Sequence, residues 1–119
     1  MKAPQRTVLL LLDRRGSNLI RKRLITAQYE VIETFTTDHA VAVCANNPVD
    51  AVILDQDLFI ETGGWSVAQS LKAVKGNLCV LLVTNAERVA KKLPKGVDAM
   101  IDRDPERVLV ELSRLLRRR

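Results

Sequence analysis

The segment AVILD at residues 51–55 decides the fold, because it places four aliphatic residues in a row before a carboxylate. An unbroken aliphatic run is typical of a strand that is buried on both faces, as in parallel sheets. Two more segments have this form: TVLLLLD at residues 7–13 also ends in an aspartate, and LCVLLVT at residues 78–84 ends in a hydroxyl residue. Three buried strands thus bring two carboxylates and a hydroxyl to one edge of a sheet, where open α/β sheets bind ligands.

Helix-like segments alternate with strand-like ones along the chain. We predict a first helix that opens at residues 16–18 and buries Leu19, Ile20, Leu24 and Ala27. Further strands are predicted at residues 30–35 and 97–101, and further helices after residues 36–38, after the glycine pair at 63–64, over 86–93 and after the cap Asp104. Repeated βα units predict an α/β fold, a doubly wound parallel sheet in one domain that spans residues 1–119.

Composition limits the classes of function. The 119-residue chain is 47% hydrophobic and 3% aromatic, with a net charge of +5. A chain of this length builds one core, and its apolar runs are far shorter than the ~20 residues of a membrane-spanning helix. The apolar run that ends at Leu12 is too short for a secretory signal. We therefore expect a cytoplasmic protein that does not act at a membrane.

Two cysteines and one histidine argue against the common metal and nucleophilic sites. Cys44 and Cys79 lack metal-binding spacing and lie in helical and strand patterns, so we predict that both are buried thiols. A single histidine, His39, argues against a Ser-His-Asp triad and against a histidine-rich metal site.

The order and spacing of the strand-terminal residues resemble those of the receiver domains of bacterial two-component response regulators. Receivers carry acids after the first strand, a phosphoacceptor aspartate after the third, Thr or Ser after the fourth and Lys after the fifth. Asp13, Asp55 and Thr84 match the first three, and GVDAMIDRDPE at residues 96–106 puts Arg103 at the lysine position. The resemblance covers nearly the whole chain and implies a flavodoxin-like, five-stranded parallel sheet of order 2-1-3-4-5.

The same resemblance implies a phosphorylation site. Asp55 would accept the phosphoryl group, and Thr84 and Arg103 would bind its oxygens. Mg²⁺ would be held by Asp13, by Asp55 and by the main-chain carbonyl of Asp57, although Asp57 also suits a plain turn. Any catalysis would be self-catalysed, Mg²⁺-dependent transfer to Asp55, because the chain has no motif of a metabolic enzyme.

Three departures from the receiver pattern mark the chain as a degenerate member. Arg14 and Arg15 stand beside Asp13 where receivers carry a second acid, which predicts weak Mg²⁺ binding. Arg103 replaces a compact ammonium with a planar guanidinium. Met100 stands where many receivers have an aromatic residue.

Three of the site residues also have an interpretation that involves no phosphoryl group or metal ion. Asp13 is equally suited to cap the first helix, and Thr84 to cap the helix that follows it. Arg103 is also interpretable as a solvated charge that pairs with Asp102 or Asp104.

Two functional hypotheses follow. The first is a stand-alone receiver in a phosphorelay, which takes a phosphoryl group from a histidine kinase or phosphotransfer protein on Asp55 and modulates partner binding. The second is a pseudo-receiver, a protein-docking module that is not phosphorylated. Clusters of Arg and Lys on the first and last helices predict a landing site for an acidic target protein. Nucleic-acid binding is not expected, because aromatic residues do not interleave with these charges.

Overall fold

The computed structural model describes residues 5–56, 64–85 and 92–117. These residues form five strands and four helices: β1 (Thr7–Leu11), α1 (Arg14–Thr26), β2 (Glu30–Thr34), α2 (Thr37–Asn46), β3 (Ala51–Asp55), α3 (Gly64–Val74), β4 (Cys79–Thr84), β5 (Ala99–Asp102) and α4 (Pro105–Arg117). The helix predicted at residues 86–93 falls mostly outside the described residues.

The strands form one parallel sheet of order β2-β1-β3-β4-β5, as predicted. The three aliphatic segments lie at its centre, and every residue of β1, β3 and β4 is buried. β2 and β5 form the edges. Each edge strand carries acids, Glu30 and Glu33 in β2 and Asp102 in β5.

Successive strand residues point to opposite faces of the sheet, which gives two apolar layers. One layer contains Leu10, Ile53 and Leu81 and is covered by α1 and α4. The other contains Leu9, Val52 and Leu82 and is covered by α2 and α3. The first and last helices therefore lie on the same face of the sheet.

Helix α1 begins two residues earlier than predicted and presents a different stripe to the sheet. Ser17, Ile20 and Leu24 are its buried residues, whereas Leu19 is 60% exposed. The Ser17 hydroxyl donates a 2.7 Å hydrogen bond to the Glu33 carboxylate of β2. This polar contact satisfies the buried hydroxyl, and the prediction that Leu19 lies on the buried stripe was wrong.

Helix α4 agrees with its prediction. The Asp104 carboxylate accepts from the backbone N–H of Glu106, and Pro105 is the first helical residue. Across the face, Arg23 of α1 donates to Glu106, and this hydrogen bond lowers the pKa of the Glu106 carboxyl. The pair thus joins the helices on this side of the sheet.

Both cysteines are buried, as predicted. Burial raises the pKa of the Cys44 thiol, which keeps it protonated and unreactive near neutral pH. In the described residues, none of the helices is long and apolar enough to cross a membrane.

Candidate functional site

Parallel strands bring their carboxyl ends to one edge of the sheet, and the polar residues predicted there occupy that edge. Asp55 is the last residue of β3, and Thr84 is the last residue of the neighbouring β4. Arg103 directly follows β5, and β5 pairs with β4 on the side of β4 that faces away from β3. Asp13 follows β1, the other neighbour of β3, and is separated from its end by Leu12.

Asp55 is the central group of this edge. The residue is only 4% exposed, and both of its carboxylate oxygens accept hydrogen bonds from the Arg103 guanidinium. Nη2 donates to Oδ1 at 2.7 Å, and Nε donates to Oδ2 at 3.2 Å. This parallel, two-bond geometry is the strongest pairing between a guanidinium and a carboxylate, and it satisfies a charge that burial would otherwise penalise.

Asn85 gives the guanidinium a second anchor. Its side-chain oxygen accepts from Nη1 of Arg103 at 2.5 Å. Arg103 therefore bridges Asp55 and Asn85 with three N–H groups. No sequence pattern indicates this role, because Asn85 is a loop residue outside every motif and only the fold brings residues 18 positions apart into contact.

The alternative interpretation of Arg103 as a partner of the adjacent aspartates was wrong. Arg107 of α4 fills that role, with an ion pair of 2.7 Å to Asp102 and a longer one of 3.9 Å to Asp104. Arg107 is 65% exposed, whereas Arg103 is 33% exposed and reaches inward. Arg107 thus pairs with the outer acids Asp102 and Asp104, whereas Arg103 pairs with the inner acid Asp55.

Thr84 carries a buried hydroxyl that has no hydrogen-bond partner among the described residues. The residue is fully buried, so bulk solvent does not reach the hydroxyl. An unsatisfied buried hydroxyl costs about 1 to 3 kcal/mol. It is tolerated where a ligand completes it, which makes Thr84 a candidate for binding a group that arrives beside Asp55.

Thr84→Val is expected to raise the free energy of unfolding by about 1 kcal/mol, because valine keeps the shape and removes the unsatisfied hydroxyl. Thr34→Val is the matched control. Thr34 is equally buried, but its hydroxyl donates a 2.8 Å hydrogen bond to the Leu10 carbonyl, so its loss should destabilise by about 1 kcal/mol. Urea unfolding of the two variants decides the matter. A Thr84→Val variant that loses stability as Thr34→Val does would show that the Thr84 hydroxyl is satisfied.

Asp13 acts as the N-cap of α1. Its Oδ1 accepts the backbone N–H of Gly16 at 2.6 Å, and the side chain is exposed. A carboxylate at this position is also stabilised by the positive end of the helix dipole. The capping interpretation is therefore confirmed, whereas a metal role for Asp13 stays a prediction. Asp57 lies outside the described residues.

Within the described residues, the carboxylates expected to hold Mg²⁺ are already engaged by other groups. Mg²⁺ needs several oxygen ligands in near-octahedral geometry. Within residues 5–56, 64–85 and 92–117, no group of three acidic, histidine or cysteine side chains is placed to hold a metal. Of the expected carboxylates, the one of Asp55 is held by a guanidinium and the one of Asp13 caps a helix.

Comparison with known proteins identifies the fold. No protein-family model matches the chain, and no curated protein matches it. Solved structures match over nearly its whole length. A putative response regulator from Chloroflexus aurantiacus superposes with a TM-score of 0.82 at 19% identity, covering 95% of this chain and 98% of that one. A response regulator receiver domain protein from Methanospirillum hungatei gives 0.79 at 18% identity, with 97% and 96% covered.

A further match is a response regulator from Burkholderia pseudomallei, with a TM-score of 0.72 and 14% identity over 90% of this chain and 65% of that one. That structure contains a phosphorylated aspartic acid and a calcium ion. The chain therefore has the receiver fold of response regulators, as the sequence predicted. At these identities the likeness establishes the fold alone.

Proposed function

We propose that this chain is a receiver module of a phosphorelay in which Asp55 accepts a phosphoryl group from a histidine kinase or phosphotransfer protein and thereby alters the binding of a target protein. One observation carries the proposal. A buried carboxylate at the end of β3 lies against a guanidinium, and the neighbouring strand ends in a buried hydroxyl that has no partner among the described residues. A nucleophile, a cation and a spare donor together suit an incoming phosphoryl group.

The transfer is a simple exchange of bonds. A carboxylate oxygen of Asp55 forms a bond to phosphorus while the bond from phosphorus to the donor's nitrogen or oxygen breaks. The leaving group keeps the bonding electron pair, and a histidine leaving group then takes a proton from water. The product is an acyl phosphate whose negative charge lies on the phosphoryl oxygens, beyond the former carboxylate.

This displacement of charge assigns roles to the two ligands. The Arg103 guanidinium gives up hydrogen bonds to the carboxylate and follows the negative charge to the phosphoryl oxygens, which suit its planar fork of donors equally well. The Thr84 hydroxyl donates to a phosphoryl oxygen and gains the partner that it lacks. Movement of these two groups at the ends of β4 and β5 is the change that a target protein would read.

Acetyl phosphate tests the proposal directly. Incubation should add the mass of one phosphoryl group to the protein, and Asp55→Asn should abolish the addition because the amide lacks the nucleophilic charge. Asp102→Asn is the matched control, since Asp102 also ends a strand of this edge and is paired with an arginine. It should still gain the phosphoryl group. An unchanged wild-type mass, or an Asp55→Asn variant that still gains mass, would refute the phosphoacceptor role.

A second candidate function is a docking module that is not phosphorylated. The observation that favours it is the engagement of both Asp55 oxygens by Arg103, which makes the carboxylate a structural partner. This candidate predicts no mass gain under acetyl phosphate.

Both candidates use the same binding chemistry for an acidic target protein. Arg14, Arg15 and Lys22 of α1 make no ion pair with the described residues, and Arg14 and Arg15 are exposed beside the carboxyl edge of the sheet. Several other cations of the first and last helices are paired within the fold: Arg21 with Glu33, Arg23 with Glu106, Arg107 with Asp102 and Arg114 with Glu111. The attraction of an acidic target is therefore centred on α1.

A further inference from the structure

We infer that Arg103, oriented by Asn85, is a resident counter-ion that takes the place of a divalent cation at Asp55 and makes this site independent of Mg²⁺. The inference rests on the proposed function only in treating Asp55 as the reactive group. It makes Arg103 the determinant of cation selectivity at the site and Asn85 a positioning residue.

The first argument is the charge already present at Asp55. A guanidinium remains protonated at every physiological pH, so its positive charge is permanent. It lies at hydrogen-bond distance from both carboxylate oxygens of Asp55, a residue that is 4% exposed. A divalent ion that approached the same oxygens would meet this charge at a few ångströms in a poorly solvated setting, where repulsion is weakly screened.

The second argument is that the guanidinium is held in place. Three of its N–H groups are engaged, two by Asp55 and one by Asn85 at 2.5 Å. Swinging the group aside for a metal ion would break both anchors together. A lysine at this position would place one compact ammonium there and could not fork across both oxygens.

The third argument is the composition of the rest of the edge. Asp13 is occupied in capping α1, and its neighbours Arg14 and Arg15 add positive charge. Fewer carboxylates and more cations at this edge both weaken the binding of Mg²⁺. Neither change removes the singly charged counter-ion that the protein itself supplies. Among the described residues, the site thus combines a resident cation with few ligands for an external one.

A metal titration tests the inference without any phosphoryl donor. Backbone NMR spectra are recorded as Mg²⁺ is added, and Mn²⁺ is added separately for paramagnetic broadening near the site. The wild type should show neither saturable shifts nor selective broadening centred on Asp55. Arg103→Ala should bind Mg²⁺ at least about tenfold more tightly than the wild type, which corresponds to about 1.4 kcal/mol. Asn85→Ala should gain affinity in the same direction but by less.

Arg107→Ala is the matched control. It removes a guanidinium from the same edge of the sheet, but one that pairs with Asp102 and not with Asp55. It should leave Mg²⁺ affinity as in the wild type. Adding Asp55→Asn to Arg103→Ala should abolish the gained affinity, which would assign the bound ion to this carboxylate.

Wild-type binding of Mg²⁺ at Asp55 as tight as that of Arg103→Ala would overturn the inference, and so would an Arg103→Ala variant without gained affinity. Where Arg103→Ala fails to fold, Arg103→Gln decides the matter. It removes the charge but keeps an amide that can donate a hydrogen bond to Asp55, so a gain in affinity supports the inference and the absence of a gain overturns it.

The acetyl phosphate experiment, run with Mg²⁺ and with a chelator, separates this inference from the proposed function. A mass gain that survives chelation supports both, and one that requires Mg²⁺ overturns the inference alone. Absence of any mass gain removes the phosphoacceptor role, while the metal titration still decides the part of Arg103.

Discussion

Leu81→Ala is expected to lower the free energy of unfolding by about 3 kcal/mol. Leu81 is fully buried in β4, where Ile53 of β3 and Ala99 of β5 are its partners in the sheet. It belongs to the layer that α1 and α4 cover. Because hydrogen-bonded strands fix the backbone on both sides, the neighbours cannot close over the lost methyl groups, and a cavity remains.

The matched control for this substitution is Leu19→Ala. It removes the same atoms from a side chain that is 60% exposed, so stability should change by no more than about 0.5 kcal/mol. Urea unfolding measures both variants. Since a domain of this size is stable by only about 5 to 15 kcal/mol, the Leu81 variant should unfold at a clearly lower denaturant concentration. Equal effects of the two substitutions would contradict the burial that the structure assigns to them.

Arg103→Ala is expected to destabilise the protein by about 3 kcal/mol, and Asp55→Ala by only about 1 kcal/mol. The difference arises from what each substitution leaves behind. Without Arg103, a carboxylate that is 5% exposed loses its bidentate partner. Without Asp55, the guanidinium is 33% exposed and retains its hydrogen bond to Asn85, so water can hydrate it.

Unfolding in urea with a chelator present measures this asymmetry without interference from divalent ions. Arg107→Ala serves as the control, because its ion pair with Asp102 involves a largely exposed guanidinium and should contribute less than about 1 kcal/mol. An Asp55→Ala variant that is less stable than Arg103→Ala would reverse the expected order. It would mean that the carboxylate is held mainly by contacts other than those to Arg103.

The centre of the fold was predictable because its signal is local. Parallel strands that are buried on both faces need unbroken aliphatic runs, and β1, β3 and β4 follow such runs to within a residue. The edge strands are less apolar, so their ends are harder to predict from the sequence. β5 spans residues 99–102, displaced from the predicted 97–101, because pairing with β4 sets its register.

The rotation of α1 was not predictable from its apolar pattern. Leu19 and Ile20 are adjacent and equally apolar, and the sequence does not say which of them faces the sheet. The structure buries Ile20 and exposes Leu19, while Ser17 reaches Glu33 of β2. A buried polar contact between residues 16 positions apart thus accompanies the orientation of the helix, and such a contact leaves no periodic signal.

The placement of three polar residues at one edge of the sheet was predictable, but their pairings were not. Asp55, Thr84 and Arg103 were assigned to one edge because each follows its own strand. Whether Arg103 turns inward to Asp55 or outward to Asp102 depends on side-chain directions at the end of β5, and Arg107 competes for the outer acid. The bond to Asn85 depends on the same geometry.

The acids on the two edge strands protect the protein against strand-to-strand aggregation. Short aliphatic segments such as those of β1, β3 and β4 are the kind that stack into amyloid-like sheets when their backbone is free to pair. The fold confines them between β2, which carries Glu30 and Glu33, and β5, which carries Asp102. A second copy that added itself to either edge would have to place its backbone beside these charged side chains and their partners. Loss of β2 would expose β1 as an uncharged edge ready to recruit other copies of the chain.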